Sequence, residues 1–486
     1  MTLTNDYPAL KAQYEAAGQG HVFTFYNDLS AQEQEAFLDQ LKMFDPEELS
    51  KIALKAMGES KQPAVKQQAC LEPLPRNVTD KVCSASADRK EGWKKLGMDL
   101  IRQNKVAVIL MAGGQGTRLG SDAPKGCYDI GLPSHKSLFQ LQAERILRLQ
   151  ALARGDREEE SIIPWYIMTS GPTHEPTCEF FEKHNYFGLS RDNVIFFKQG
   201  VMPCFTEDGK LMLQEKGKLA IAPDGNGGIY SALHREGIIA SLKKRGVLYS
   251  HCYCVDNSLA RVADPVFIGY CASKSTDCGI KVVPKSHPEE PVGVVCKCDD
   301  KYGVVEYSEI SKELAFKRQE DGTLAFGAAN IANHFFSTEF LERVPSFAHT
   351  LAYHVAHKKI PYTDLTNGQF IKPTKNNGVK LERFVFDVFG HSHAFSVLEV
   401  GRALEFSPLK NGSGAGVDCP ETSRADILQQ HAQFIIEAGG HVKDGVSIEI
   451  SPLVSYAGEG LEIVKGKTVI QSGVVKTIED LKQMLA

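Results

Sequence analysis

Long apolar runs, basic tracts and paired metal-ligand spacings are all missing from this 486-residue chain. No apolar stretch approaches the roughly 20 residues that span a bilayer, so no membrane-crossing helix is expected. The opening "MTLTNDYPAL" lacks the charged-then-apolar pattern of a secretory leader, and the expectation is a soluble, cytoplasmic protein. A net charge of −5 without a basic run or a basic amphipathic helix argues against nucleic-acid or membrane partners, leaving room only for local cationic pockets. The twelve cysteines form no C-x-x-C: "CYC" at 252–254 and "CKC" at 296–298 lack nearby paired histidines and read as reduced thiols, mostly buried, rather than zinc ligands. Repeats and low-complexity tracts are absent as well, so the length points to two or three globular domains.

What is present is ordered in three segments. Residues 1–100 read as a helical, charged N-terminal domain: in "LSAQEQEAFLDQLKMF", Ser30 and Glu33 form a capping box ahead of Phe37, Leu38, Leu41 and Phe44 at helical spacing. Over 101–405, buried-type strands ("VAVILM", "IPWYIMTS", "NVIFFKQG", "VLYSHCYCVDN") alternate with helical patterns such as "KSLFQLQAERILRLQ", the signature of an α/β domain with a mostly parallel mixed sheet. The Gly-rich junction "FSPLKNGSGAG" opens a small C-terminal domain, 406–486. It holds a helix, short β segments punctuated by glycine, and a last helix capped at Thr477.

The stretch "VAVILMAGGQGTRLG" at 106–120 carries the chemistry. A short apolar strand runs into a glycine loop at its carboxyl end, where open α/β sheets bind ligands and backbone N–H groups can face an anion. The guest is a phosphate, but not by either common loop. Gly114, Gly116 and Gly120 read G-x-G-x-x-x-G, without the later acid of a dinucleotide site, and Lys125 follows Pro124 rather than glycine, which fails the P-loop. Two cations remain: the forked Arg118 and the point charge Lys125.

Other clusters have plain readings beside functional ones. "APDGNGG" at 222–228 is either a tight turn or a second ligand-facing loop in which Asn226 recognises hydroxyls or amides. Asp256 ends a strand-like run, so its carboxylate emerges at the sheet edge that carries the glycine loop. There it is a Mg²⁺ ligand or a turn former. "VVEYSEI" and "NIANHFF" place Glu306 and Asn330 in strand-like runs, where buried polar groups need partners and a ligand is one such partner. His334 reads as a packed core histidine, because no nucleophile can be argued for it, and a Ser-His-Asp reading has no support.

Taken in order, "AGGQGTRLG", "PKG", "APDGNGG", "VDN", "VVEYSEI", "NIANHFF", "KLERFVFD" and "FSPLKN" resemble the eukaryotic UDP-N-acetylhexosamine pyrophosphorylases over about residues 20–470. The resemblance implies a Rossmann-like nucleotidyltransferase domain flanked by N- and C-terminal domains, with UTP and N-acetylglucosamine 1-phosphate as substrates and Mg²⁺ as cofactor. It implies Met111, Ala112, Gly113, Gly114, Gln199 and Gly225 around the uridine and its phosphates, Asp256 beside the metal, and Lys380 on the phosphates. Asn226, Glu306, Tyr307, Asn330 and Lys410 would hold the sugar phosphate. Arg118 and Lys125 would supply catalytic charge, since attack of one polyanion on another needs positioning and neutralisation rather than a protein nucleophile. Met111 before the loop and Cys127 after "PKG" depart from the pattern conservatively. A UDP-glucose-type or broad UDP-sugar pyrophosphorylase, an NAD-dependent dehydrogenase disfavoured by the glycine spacing, and an inactive sugar-nucleotide-binding module stay open at this point, as does the oligomeric state.

Overall fold

The computed structural model describes residues 6–60 and 70–486. The chain divides into two compact units that interleave along the sequence. One comprises Met1–Lys66, Gln199–Ser231 and Phe347–Asp387; the other comprises Gln67–Lys198, Ala232–Ser346 and Val388–Ala486. This is a division by compactness, whereas the segments 1–100, 101–405 and 406–486 describe order along the chain.

The larger unit is built on a sheet of eleven strands among the described residues. Its main path runs Thr79–Lys81, Phe395–Glu399, Cys278–Pro284, Ala328–Ser337, Tyr249–Cys254, Val106–Met111, Trp165–Thr169, Val194–Lys198. Every pair on this path is parallel except those made by Ala328–Ser337, which runs antiparallel to both neighbours, so the mostly parallel mixed sheet read from the sequence is the sheet observed. Val106–Met111 is buried along its whole length, as its β-branched, unalternating composition demands of a strand covered on both faces. The helices that cover the sheet start at hydroxyl or carboxylate caps: Ser86 accepts from Arg89 N, Ser137 from Gln140 N, and Asp264 from Val266 N with Pro265 at the first position. Helices Ala87–Arg102 and Pro265–Ser273 cross backbone to backbone at two glycines. A Cβ on Gly97 would lie 1.9 Å from Pro265 O, and one on Gly269 1.8 Å from Trp93 O.

The C-terminal part of this unit contains helix Pro420–Glu437 and two short parallel pairs, His441–Val442 with Thr468–Val469 and Ile448–Ile450 with Gly473–Val475. A last helix follows, Ile478–Gln483, closed by a Thr477/Asp480 capping box. In the smaller unit the Ser30/Glu33 capping box starts helix Ala31–Lys42. Its Phe37, Leu38 and Leu41 are buried in one core with Phe205, Leu211, Val379 and Leu381, and Phe44 packs half-buried against it.

The reduced-thiol reading needs one correction. Cys298 is joined to Cys70, 228 residues away, because the two-residue strand Leu71–Glu72 pairs antiparallel with Val294–Cys298 and sets Leu71 opposite Cys298. Cys252, Cys254 and Cys296 are free thiols, as expected.

Candidate active site

In the larger unit the glycine loop leaves the sheet between two parallel neighbours. Ala112 N donates to Met168 O at 2.9 Å, and Ser170 Oγ donates to Gly113 O at 2.8 Å, so the first glycine is tied to the adjacent strand's exit. The loop then folds on itself: Leu119 N and Ser121 N donate to Gly116 O, Gly116 N to Ala123 O, and Lys125 N to Gly114 O. Leu119 is buried as an anchor while Gly114 and Arg118 are exposed, with open space in front of Gly114. Gly126 seats the turn against the Phe139 ring, 2.2 Å from where a Cβ would stand. The motif is therefore a rigid surface loop that presents backbone and one guanidinium outward.

Strand Tyr249–Cys254 runs parallel to Val106–Met111 with Cys254 opposite Met111, and Val255 N donates to Met111 O at 3.1 Å. Asp256 therefore emerges at the same edge as the glycine loop, half-buried. Its backbone carbonyl accepts from Leu409 N at 2.9 Å, and Lys125 Nζ donates to Leu409 O at 3.1 Å. "PKG", "VDN" and "FSPLKN" thus meet at one place. The charges confirm the gathering: burial drives the Cys254 thiol far above its ordinary pKa, Asp256 adds to that rise, and Lys410 and Lys125 oppose it. Burial also raises the Asp418 carboxyl, with Asp256 adding to the shift and Lys410 opposing. Lys410 N and Asn411 N both donate to Asp418 O at 2.8 Å.

Sequence reasoning missed the residue that registers these segments. Asn257, buried, donates from Nδ2 to Glu405 O at 2.7 Å and accepts at Oδ1 from Ser407 N at 3.0 Å and Leu259 N at 3.3 Å. It was visible inside "VDN", but nothing local shows that its partners lie about 150 positions on.

Glu306 and Asn330 share a neighbour. The Glu306 carboxylate lies 3.1 Å from where a Gly293 Cβ would be, and Asn330 N donates to Gly293 O at 2.9 Å. Asn330 Oδ1 accepts from Ala332 N at 2.8 Å, closing a bulge at which the register to Cys278–Pro284 shifts and Ala332 takes φ 49°. Tyr307 is exposed beside them. His334 is fully buried, stacked on Phe336, in keeping with a packed core histidine.

Gln199, Gly225, Asn226 and Lys380 belong to the smaller unit. Gly225 takes φ +85°, and a Cβ there would stand 2.3 Å from Arg383 O, so only glycine fits. Gly227 N donates to Arg383 O at 2.8 Å, Arg383 N to Asp224 O at 2.9 Å, and Val385 N to Asn226 Oδ1 at 2.9 Å. "APDGNGG" is therefore laced to "KLERFVFD". Lys380, half-buried on strand Gly378–Glu382, faces the buried Cys204 thiol, which burial pushes up to about 11 against the lysine's charge. Gln199 immediately precedes Gly200, whose carbonyl accepts from Asp224 N at 3.3 Å.

Among the described residues, the one group of three side chains close enough to share a metal ion is Cys70, Cys298 and Asp299, and its two sulfurs are bonded to each other. Asp256 brings a single carboxylate with Asp418 as its charged neighbour. That donor set suits Mg²⁺, which takes one or two carboxylates and draws its remaining ligands from water and nucleotide phosphate.

Residues 49–455 match the model of the UTP-glucose-1-phosphate uridylyltransferase family. The chain is 50% identical over 471 residues to the UDP-N-acetylhexosamine pyrophosphorylase-like protein 1 of Xenopus tropicalis, covering 92% of each. It is 43% identical over 478 residues to the UDP-N-acetylglucosamine pyrophosphorylase of Saccharomyces cerevisiae, covering 96% of this chain and 98% of that one. Among solved structures, the uridine diphosphate N-acetylglucosamine pyrophosphorylase of Trypanosoma brucei, crystallised with an inhibitor, superposes with a TM-score of 0.83 at 31% identity over 95% of both chains. A phosphate-type glycine loop beside two lysines and an aspartate at the carboxyl edge of a parallel sheet, together with likeness over nearly the full length, makes this chain a member of the UTP-glucose-1-phosphate uridylyltransferase family.

Proposed function

We propose that the protein is a UDP-N-acetylglucosamine pyrophosphorylase. It joins UTP to N-acetylglucosamine 1-phosphate by in-line attack of the sugar phosphate oxygen on the α-phosphorus, releasing pyrophosphate. The observation that carries this reading is the meeting of Lys125, Lys410 and Asp256 beside the glycine loop, a set of charges suited to holding phosphates and a metal ion. Two polyanions must be brought together, and neutralisation with positioning is the catalysis such a step requires.

In this reading Met111, Ala112, Gly113, Gly114, Gln199 and Gly225 hold the nucleotide. Arg118, Lys125 and Lys380 neutralise its phosphates and the charge that develops on them. Asn226, Glu306, Tyr307, Asn330 and Lys410 receive the sugar phosphate. Asp256 would hold Mg²⁺, which when bound supplies charge to the nucleotide phosphate oxygens. A cytoplasmic setting belongs to the same reading.

Pyrophosphate release measured with Mg²⁺, UTP and each sugar phosphate tests the proposal. A site that hydrogen-bonds a C2 acetamido group leaves buried polar atoms unpaired when glucose 1-phosphate binds, so kcat/KM should favour N-acetylglucosamine 1-phosphate by at least about a hundredfold. Equal values would replace the reading with a UDP-glucose-type enzyme. Binding of UDP-N-acetylglucosamine without turnover would leave an inactive sugar-nucleotide-binding module.

A further inference from the structure

The side-chain amide of Asn226 has one accepting atom and one donating atom, and the fold engages the first. A backbone N–H can only donate, so the Asn226 atom 2.9 Å from Val385 N must be the oxygen, which fixes the amide orientation without appeal to a ligand. With the oxygen turned to Val385, the Nδ2 group points the other way, a pure donor suited to the lone pair of a sugar hydroxyl or an acetamido carbonyl.

Val385 N can hold that oxygen only if its own peptide is held. Phe384 N donates to Asp387 Oδ2 at 2.7 Å, and Asp387 N donates to Phe384 O at 3.0 Å, closing the 384–387 turn from both directions. Asp387 Oδ1 lies 3.0 Å from His354 Nε2, and the carboxylate is only 10% exposed, so its direction is set by these two partners. The His354 ring packs on the Phe384 ring at 4.2 Å between centroids. Tyr230 Oη donates to Val385 O, pinning the next peptide along the turn. Side chain, turn and amide form one chain of hydrogen bonds running from His354 through Asp387 and Val385 to Asn226.

We infer that Asp387, braced by His354, is a positioning residue for the sugar phosphate: it holds the Val385 N–H so that the Asn226 amide is fixed with its Nδ2 group turned to the ligand. Asp387 itself touches no ligand in this arrangement. The inference rests on the proposed function for the identity of the ligand, while the hydrogen-bonded chain does not depend on it.

Two measurements separate these layers. Hydrogen exchange at the Val385 amide, followed by NMR or mass spectrometry in ligand-free protein, should accelerate about tenfold or more in Asp387→Ala, whatever the protein catalyses. In turnover, Asp387→Ala should raise KM for N-acetylglucosamine 1-phosphate about tenfold while KM for UTP stays within about twofold, and Asp387→Asn, which keeps the acceptor for Phe384 N, should recover most of the loss. In an Asn226→Ala background the same change should add no more than about twofold, because the residue it acts through is gone. If Asp387→Ala does not fold, His354→Gln takes its place with a smaller, equally sugar-selective rise that likewise disappears with Asn226→Ala. Unchanged Val385 exchange, an equal rise in both KM values, or full multiplication of the two effects would overturn the inference. A wild-type protein that neither binds UDP-N-acetylglucosamine nor turns over, yet shows the exchange effect, would instead overturn the proposed function.

Discussion

Arg118 is the residue whose role follows most directly from where it sits. It projects from a loop whose backbone is closed by four hydrogen bonds of its own and anchored by Leu119, so its exposed side chain is not what keeps the loop folded. Arg118→Ala should therefore lower kcat by about two orders of magnitude or more, the cost of one preorganised donor to transition-state charge, and leave the unfolding transition in place. Steady-state kinetics beside a denaturant titration checks both halves, and near wild-type turnover in the folded variant would remove the role. At this scale glycine spacing and a strand end mark the loop with Arg118 and Lys125 and the position of Asp256 locally, and the structure puts the loop and Asp256 at one sheet edge. The residues that hold such segments in place are not marked locally: Asn257 and Val385 act through partners distant in sequence, and an asparagine with three hydrogen bonds reads like any other turn former until its neighbours are known.

Elements were readable where their cause is local. The unbroken apolar strand Val106–Met111, the Ser30/Glu33 capping box, the Thr477 cap and the alternation of strand with helix all appear where composition put them. Pairing across long separations was not readable, and Cys298 shows why: C-x-C spacing fixes which face a thiol shares with its neighbour, and carries no information about a partner 228 residues earlier. That crosslink ties the very short strand Leu71–Glu72 to the hairpin of Val294–Cys298 and Lys301–Val305, which leads directly into Glu306. Closing so long a loop restricts the unfolded chain, so Cys298→Ser should lower the unfolding free energy by about 2–5 kcal/mol. Guanidinium titrations with and without a dithiol reductant measure it. The wild-type curve should move onto that of the variant under reduction, and a wild-type curve indifferent to the reductant would mean that the bond contributes nothing.

On the scale of the whole molecule, interleaving is what the sequence hid, since no break in composition marks residues 198, 231, 346 or 387, where the chain changes unit. A consequence that was equally hidden is how the larger unit responds to acid. Three histidines are sealed in it. His251 accepts Ala263 N at Nδ1, 2.9 Å, and faces Asn333 Oδ1 from Nε2 at 2.6 Å, so a backbone donor fixes its neutral tautomer. His431 accepts Ile450 N at Nδ1, 3.0 Å, and is blocked from a second proton in the same way. His334 has neither nitrogen hydrogen-bonded and lies among aromatic rings. Burial, the largest cause in each, pulls His251 down to about 4 and His334 and His431 to about 3, with Lys281 opposing the charged form of His251, His251 that of His334, and Arg145 and Lys136 that of His431. These folded-state values lie below the unfolded value near 6.5, so the unfolded chain binds the extra protons. The stabilisation is complete above about pH 6.5 and is lost as the pH falls toward 4 and then 3. Each histidine contributes a slope of at most about 1.4 kcal/mol per pH unit in that window, or about 4 for the three together. Unfolding free energies from denaturant titrations at pH 7.5, 6 and 5 should fall with that sign. His334→Leu, which removes a titrating ring without stranding a hydrogen-bond partner, should flatten the slope by up to about 1.4 kcal/mol per pH unit. A slope in the variant equal to that of the wild type would show that His334 takes up its proton as readily in the folded protein as in the unfolded chain.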